Sequence, residues 1–286
     1  MVSWAQGLAE GLFATLFPAH CRLCSTPLIH ISRLPVCQDC LRAMRPISGG
    51  LCSICGERLA SPYAFAASRG EQDSSVGASE AICGLCRRLE PPFAKATAYG
   101  SYEGGLRDLV QLLKYERVRP AAAVLGRMLA EAVEDLEPFL GDARITVVPI
   151  PLHHGKLRER GFNQAELIAQ AALKIRPRGR FELEADALQR QRETSSQTGL
   201  TRHQRRENIR GAFKVTRPAE TKGRQFLLVD DVFTTGTTVS ECARILRRAG
   251  ASRVWVATVA RTLKAEASFA TLGAAGNERM AMAANA

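Results

Sequence analysis

The chain has 286 residues, 46% of them hydrophobic and 23% charged. That is ordinary globular composition, long enough for two domains and a sizeable core, and it holds no run of about twenty apolar residues, so no transmembrane span is expected. The formal net charge of +11 favours phosphate-bearing partners and says nothing about fold.

The chain opens with MVSWAQGLAEGLFATLFPAHC. This stretch lacks a basic leading region and carries Glu10 among its apolar residues, so no secretory signal is expected and the chain reads as cytoplasmic. Trp4, Leu8, Leu12 and Leu16 recur every four residues, which suits one face of a helix docked on its own domain.

Eight of the nine cysteines follow in four pairs: Cys21/Cys24, Cys37/Cys40, Cys52/Cys55 and Cys83/Cys86. Each pair has two residues between its sulfurs, so a tight knuckle can aim both thiolates at one ion, and two knuckles complete a tetrahedron around Zn²⁺. The first two pairs are twelve residues apart, a usual zinc-ribbon gap; the last two are twenty-seven apart, with the excess in a polar insertion from Tyr63 to Glu80. Disulfides need an oxidising compartment, and redox dithiols rarely come four to a chain. Two structural zinc ions are therefore expected, filled by sulfur and closed to substrate. Consecutive and interleaved pairings use the same eight thiols, and His20 and His30 are dispensable as ligands. Cys242 falls on an apolar helical stripe with Val239, Ala243 and Leu246 and reads as a small core residue.

After Arg87 the texture changes. EGGLRDLVQLLKY and AAAVLGRMLAEAVEDLE read as helices, with Leu106, Leu109, Val110 and Leu113 on one face of the first and Pro120 opening the second. RITVVPIP reads as a buried strand, NQAELIAQAALKI as a helix and QFLLVDD as a second buried strand. TTVSECARILRRAG is a helix ended by Gly250, and SRVWVATVA a third strand. Strand, helix and strand in that order predict right-handed crossovers and a parallel sheet. The expected division is 1–90 for the N-terminal helix and double zinc ribbon, 91–264 for an α/β domain, and 265–286 for a disordered tail.

Parallel sheets bind ligands at the carboxyl ends of their strands. Asp230 and Asp231 are expected at such an end, followed by Thr234, Thr235, Gly236, Thr237 and Thr238 in the turn into a helix. The first N–H groups of a helix lack internal partners and carry partial positive charge, so this turn is a phosphate cradle. Carboxylates touching a phosphate would repel it, so the acids must serve another part of the same ligand. A sugar diol on the acids and a phosphate in the cradle describe a ribose 5-phosphate group. The strand resembles a Walker B strand, but no G-x-x-x-x-G-K-[ST] and no G-x-G-x-x-G accompanies it.

FLLVDDVFTTGTT is similar to the ribose-phosphate motif of type I phosphoribosyltransferases. From Cys21 to Arg261 the chain resembles the ComF family of competence proteins, on the four cysteine pairs, LKY, VPIPLHHGKLRERGFNQAE, RETSSQTGLTRHQRRENIRGAF, and LLVDDVFTTGTT with ATVART after it. The resemblance implies a phosphoribosyltransferase-type parallel sheet flanked by helices and preceded by a small cysteine-rich zinc-ribbon domain. It implies 5-phosphoribosyl 1-diphosphate with Mg²⁺ as ligand, its 2- and 3-hydroxyls on Asp230 and Asp231 and its 5-phosphate on Thr234 to Thr238. The loop after Pro149-Ile150-Pro151 would receive pyrophosphate through Arg158, Arg160 and Asn163. QRQRETSSQTGL matches the mobile loop that closes over the reacting centre, with Arg190, Arg192, Thr194 and Gln197 towards the diphosphate.

Two functional classes stay open. One is an enzyme moving a phosphoribosyl group to an acceptor that no residue here identifies. The other is a DNA-handling factor, since the family name implies natural transformation, DNA uptake and other competence or DNA-processing proteins as partners. TRHQRRENIR, with Arg202, Arg205, Arg206 and Arg210, reads as a basic helix able to track single-stranded DNA or to form a solvated face. Aromatic residues at 6% are sparse for base stacking. A degenerate transferase kept as a scaffold is a third possibility.

Overall fold

A computed structural model describes residues 19–28, 32–59, 81–176, 179–194 and 201–263. The expected N-terminal helix with Trp4, Leu8, Leu12 and Leu16, the residue His30, the insertion from Tyr63 to Glu80, Gln197, the side chain of Arg202 and the tail from 265 lie outside the described residues.

The cysteine-rich region is one unit built twice. His20 bridges Pro27 and Leu51 bridges Arg58, each pair closing a knuckle around a Cys-x-x-Cys. Each knuckle then meets a short helix: α1, Gln38–Ala43, capped by the sulfur of Cys37, and α2, Gly84–Leu89, capped by the sulfur of Cys83. The left-handed residue after each first pair is Ser25 in one copy and Gly56 in the other. Glycine suits position 56, because a Cβ there would meet the carbonyl of Ala96 at 3.3 Å, a tight approach.

The rest is a five-stranded parallel sheet with helices on both faces. In chain order the elements are β1 Lys95–Ser101, α3 Gly104–Lys114, α4 Ala121–Glu134, α5 Glu137–Leu140, β2 Ile145–Pro149, α6 His154–Arg160, α7 Gln164–Ile175, β3 Phe181–Leu183, β4 Leu188–Arg190, α8 Arg202–Ile209, β5 Phe213–Val215, α9 Pro218–Thr221, β6 Gln225–Phe233, α10 Thr237–Arg248 and β7 Arg253–Arg261. The strand order is β1-β7-β6-β2-β3, while β4 and β5 form a separate antiparallel hairpin. The fully buried run of β2 fits a strand covered on both faces.

Two cores lie on the two faces. Leu109, Val110, Leu125, Leu129 and Ile168 from α3, α4 and α7 pack with Leu227, Val229 and Trp255 on one face. Phe226, Leu228, Val256, Val239, Cys242 and Leu246 fill the other. The zinc-ribbon residues divide between them. Cys21, Leu34, Val36 and Met44 join the first core, and Cys52, Cys55 and Cys86 the second. The ribbon thus straddles β1, and two backbone bonds, Ile47 N–H to Tyr99 O (2.7 Å) and Ala96 N–H to Ile54 O (2.7 Å), cover an edge that would otherwise template pairing.

Several elements differ from expectation. β1 reads weakly in sequence because KATAYGS mixes small and polar residues, and pairing with β7 forms it. The expected loop after Pro151 is largely the two-turn helix α6, ended by Gly161 at φ 82°. The first residues of the expected mobile loop, Gln189 and Arg190, belong to β4 and are paired with Lys214 and Phe213. The basic stretch from Thr201 does form a helix, started by a capping box between Thr201 and Gln204. Among the described residues no helix is long and apolar enough to cross a membrane.

Candidate functional site

The eight paired cysteines form two tetrads, Cys21/Cys24/Cys37/Cys40 and Cys52/Cys55/Cys83/Cys86, so the pairing is consecutive. Four sulfurs at the usual Zn–S length sit about 3.8 Å apart in a tetrahedron. Here Cys24–Cys37, Cys55–Cys83 and Cys21–Cys40 are 3.6, 3.8 and 3.9 Å apart. Backbone N–H groups of Leu23, Cys37, Cys40, Cys83 and Cys86 point at these sulfurs, which suits thiolates. The residues fit two zinc ions.

The second constellation lies near the end of β6, which runs two residues past the expected end at Asp231, to Phe233. Register pairs Pro149 with Val229, and the Ile150 N–H donates to Val229 O (2.8 Å), so the proline turn meets the acid pair. Strand alternation sends adjacent side chains to opposite faces, and the two acids have partners on opposite sides. Asp231 is 3% exposed and makes an ion pair of 2.8 Å with the Lys114 ammonium at the end of α3. Burial opposes the lysine charge, but Asp231 and then Asp230 outweigh it and hold the ammonium above the usual lysine range. Asp230 is half-buried and lies in the field of Arg190 on β4 and Cys242 on α10. Burial first, and then the neighbouring Asp231 carboxylate, push the Asp230 carboxyl up to about 7, against the pull of Lys114. Cys242 is fully buried and its thiol is pushed well up by burial, which suits a packing residue.

From Phe233 the chain turns into α10. Gly236 is the N-cap at φ 71°, and a Cβ there would lie 2.5 Å from the Phe233 ring. The glycine therefore serves the fold of the turn as well as any approach by a ligand. The Thr235 and Thr237 hydroxyls are 2.8 Å apart, and Thr238 follows in the first turn of α10. Thr234 is exposed, and the Arg205 guanidinium of α8 reaches its hydroxyl at 3.4 Å.

The other expected residues are placed as follows. Arg158 is exposed on α6. Arg160 is bonded to Gln164 and lies over the Tyr115 ring. Asn163 caps α7 by accepting from Ala165 N–H (3.1 Å) and donates to Ile150 O (3.1 Å), so its amide ties the proline turn to the helix. Arg190 bonds Thr194 and lies over the Phe213 ring. Arg192 donates to the carbonyls of Asn208 and Arg210 at the end of α8. The structure thus gathers Asp230, Asp231, Arg190 and the Thr234–Thr238 turn near one strand end, while Asn163 and Arg192 hold backbone groups. Sequence reasoning missed Lys114 and Arg205 as neighbours of the site. Lys114 had a readable signal: it follows Val110 by four residues, so a charge sits on the buried stripe of an apolar helix.

Two family models match parts of the chain. Residues 160–268 match the phosphoribosyl transferase domain and residues 12–87 the double zinc ribbon domain. The fold and the cysteine tetrads thus define a phosphoribosyltransferase-type sheet carrying a double zinc ribbon. The DNA utilization protein YhgH of Escherichia coli K12 is 32% identical over 250 residues, covering 86% of this chain and 98% of that one. Competence protein F of Haemophilus influenzae is 31% identical over 231 residues, covering 79% and 96%. The chain belongs to the ComF family of competence proteins that these relatives represent. Among solved structures, the glutamine phosphoribosylpyrophosphate amidotransferase from Bacillus subtilis is similar at 23% identity, covering 49% of this chain and 26% of that one, with a TM-score of 0.28.

Proposed function

We propose that the chain binds 5-phosphoribosyl 1-diphosphate, accompanied by Mg²⁺, and transfers its phosphoribosyl group to an acceptor in the handling of imported DNA. One observation carries this reading. On a single strand-turn-helix, the acid pair of β6 is followed, after Val232 and Phe233, by the turn into α10. The turn suits a 5-phosphate, because the first N–H groups of a helix have no intrahelical acceptor and lie at the positive end of its dipole. The acids suit the neighbouring ribose hydroxyls, because carboxylates accept two such bonds. With the sugar so placed, the diphosphate would extend towards the turn after β2 and the end of β4, where Arg190 and the exposed Arg158 supply positive charge.

In transfer, the bond from the anomeric carbon to diphosphate oxygen breaks and the acceptor nitrogen bonds to that carbon. Mg²⁺, when bound with the diphosphate, would supply positive charge to the leaving group. The chain's own share is to hold the phosphate and diol in place and to set cations against the leaving oxygens. The names of the relatives, DNA utilization protein and competence protein, support the DNA context.

Calorimetry with 5-phosphoribosyl 1-diphosphate and Mg²⁺ tests the reading, followed by pyrophosphate release over a panel of nucleobases and amines. Asp230→Asn or Asp231→Asn should weaken binding about tenfold to a hundredfold, the usual worth of hydrogen bonds to a charged acceptor, and leave zinc content unchanged. Full binding by both variants sinks the proposal.

The second reading is a DNA-binding factor without transfer. The contact of Arg205 with Thr234 favours it, because it sets the basic helix α8 beside the phosphate turn. Silence in the transfer screen, with DNA retention that falls steeply with salt, supports this reading over the first.

A further inference from the structure

Lys114 is the last residue of α3, and it enters the site from the face opposite Cys242 and Arg190. Its side chain is 16% exposed, that of Asp231 is 4%, and the ammonium lies 2.8 Å from Asp231 Oδ2. A pair this enclosed is not a screened surface contact, because losing one partner strands the other charge in the interior. Among the described residues Asp231 Oδ2 has no partner besides Lys114, so the lysine charge is what the structure sets against it. The Asp231 N–H donates to Asp230 Oδ1 at 2.9 Å, which ties the acids together through the backbone.

Two adjacent carboxylates left to themselves have two usual outcomes. They share a proton, or they collect a divalent cation. A cation from the protein changes both, since it cancels one of the two charges and occupies the oxygen that a metal would use.

We propose that Lys114 is a positioning and specificity-determining residue of the sugar site: it pins Asp231 through Oδ2 and cancels one of two adjacent negative charges, which selects a vicinal diol over a divalent cation. The inference rests on the sugar-phosphate reading above. Asp231 then offers Oδ1, and Asp230 its carboxylate, to two neighbouring hydroxyls. The described charged and titratable groups that act on Asp230 and its partners come from several elements. Asp231 lies on its own strand, Lys114 comes from α3 with Tyr102 beside it, Arg190 from β4 and Cys242 from α10.

Two probes test it on the full zinc-loaded chain. Ribose 5-phosphate without metal reports the diol grip by calorimetry, and Mn²⁺ reports cation uptake through broadening of the aspartate carboxyl ¹³C signals. The wild type should bind ribose 5-phosphate and leave the Asp230 and Asp231 signals sharp in Mn²⁺. Lys114→Met should lose about tenfold or more in sugar-phosphate affinity and gain Mn²⁺ broadening at the two aspartates, while Lys114→Arg retains the wild-type pattern. Sugar-phosphate binding should recover in Lys114→Met as pH rises, because removing the cation lifts the Asp230 pKa and more alkaline solution restores its charge; a merely structural defect would not recover. Equal binding by wild type and Lys114→Met overturns the inference and leaves the sugar-phosphate reading standing. A wild type that binds neither ribose 5-phosphate nor its diphosphate overturns both. Mn²⁺ broadening in the wild type overturns the inference by itself, and that measurement holds even where Lys114→Met fails to fold.

Discussion

Asp230 is the residue whose chemistry the surroundings alter most visibly. Its carboxyl is pushed up to about 7 from an ordinary 3.8, first by burial and then by Asp231, with Lys114 pulling the other way. The folded carboxyl therefore holds its proton more tightly than the unfolded one. Its contribution to stability is full below the ordinary carboxylate range and is lost as pH rises through about 7. The melting temperature of the wild type should accordingly fall across that window relative to Asp230→Asn, which has no proton to lose. Identical pH profiles for the two proteins would show that Asp230 is not perturbed. Ligand affinity should run in the opposite direction and strengthen as Asp230 ionises. The sequence showed two acids at a strand end. It did not show that one would be enclosed with a lysine from a helix more than a hundred residues away.

At the scale of the element, the turn between β6 and α10 is the most constrained piece. Gly236 needs its positive φ, and the Phe233 ring fills the space where a Cβ would go. Gly236→Ala should cost roughly 1–3 kcal/mol in chemical denaturation, from an unfavourable backbone conformation and the displaced ring. It should also weaken phosphate binding, since the Thr235–Thr237 hydroxyl contact straddles the glycine. A variant with wild-type stability would mean that the turn relaxes freely. The long periodic elements, α4, α7, α10, β2, β6 and β7, were legible because their apolar patterns suit one secondary structure. β1, β3, β4 and β5 were not, because short mixed segments take their conformation from the strand beside them.

At the scale of the whole molecule, the ribbon and the sheet share their cores. Arg261, at the end of β7 and 3% exposed, donates to the Cys55 carbonyl and to Glu57 (3.1 Å), and its guanidinium lies 4.8 Å from the Phe233 ring. The second knuckle is therefore tied to the strand end that begins the phosphate turn. Cys55→Ser should release one of two zinc ions by elemental analysis, since tetrathiolate binding supplies folding energy to the knuckle. Hydrogen exchange at the ends of β1 and β7 should rise with it, while α4 and α7 on the other face keep their protection. Loss of both metals together, or no change in exchange near Arg261, would show that the knuckle is not coupled in this way.

The sequence by itself determined the thiol pairs, the strand–turn–helix with its acids and threonines, and the parallel sheet, because each follows from spacing within a few residues or from a long hydrophobic period. The family resemblance was legible for the same reason, resting on short motifs. Tertiary structure alone decided the consecutive pairing of the knuckles, the division of the ribbon between two cores, the backbone duties of Asn163 and Arg192, and the meeting of Lys114 with Asp231. Those depend on which distant surfaces the chain brings together, and local pattern carries no record of a partner far along the chain.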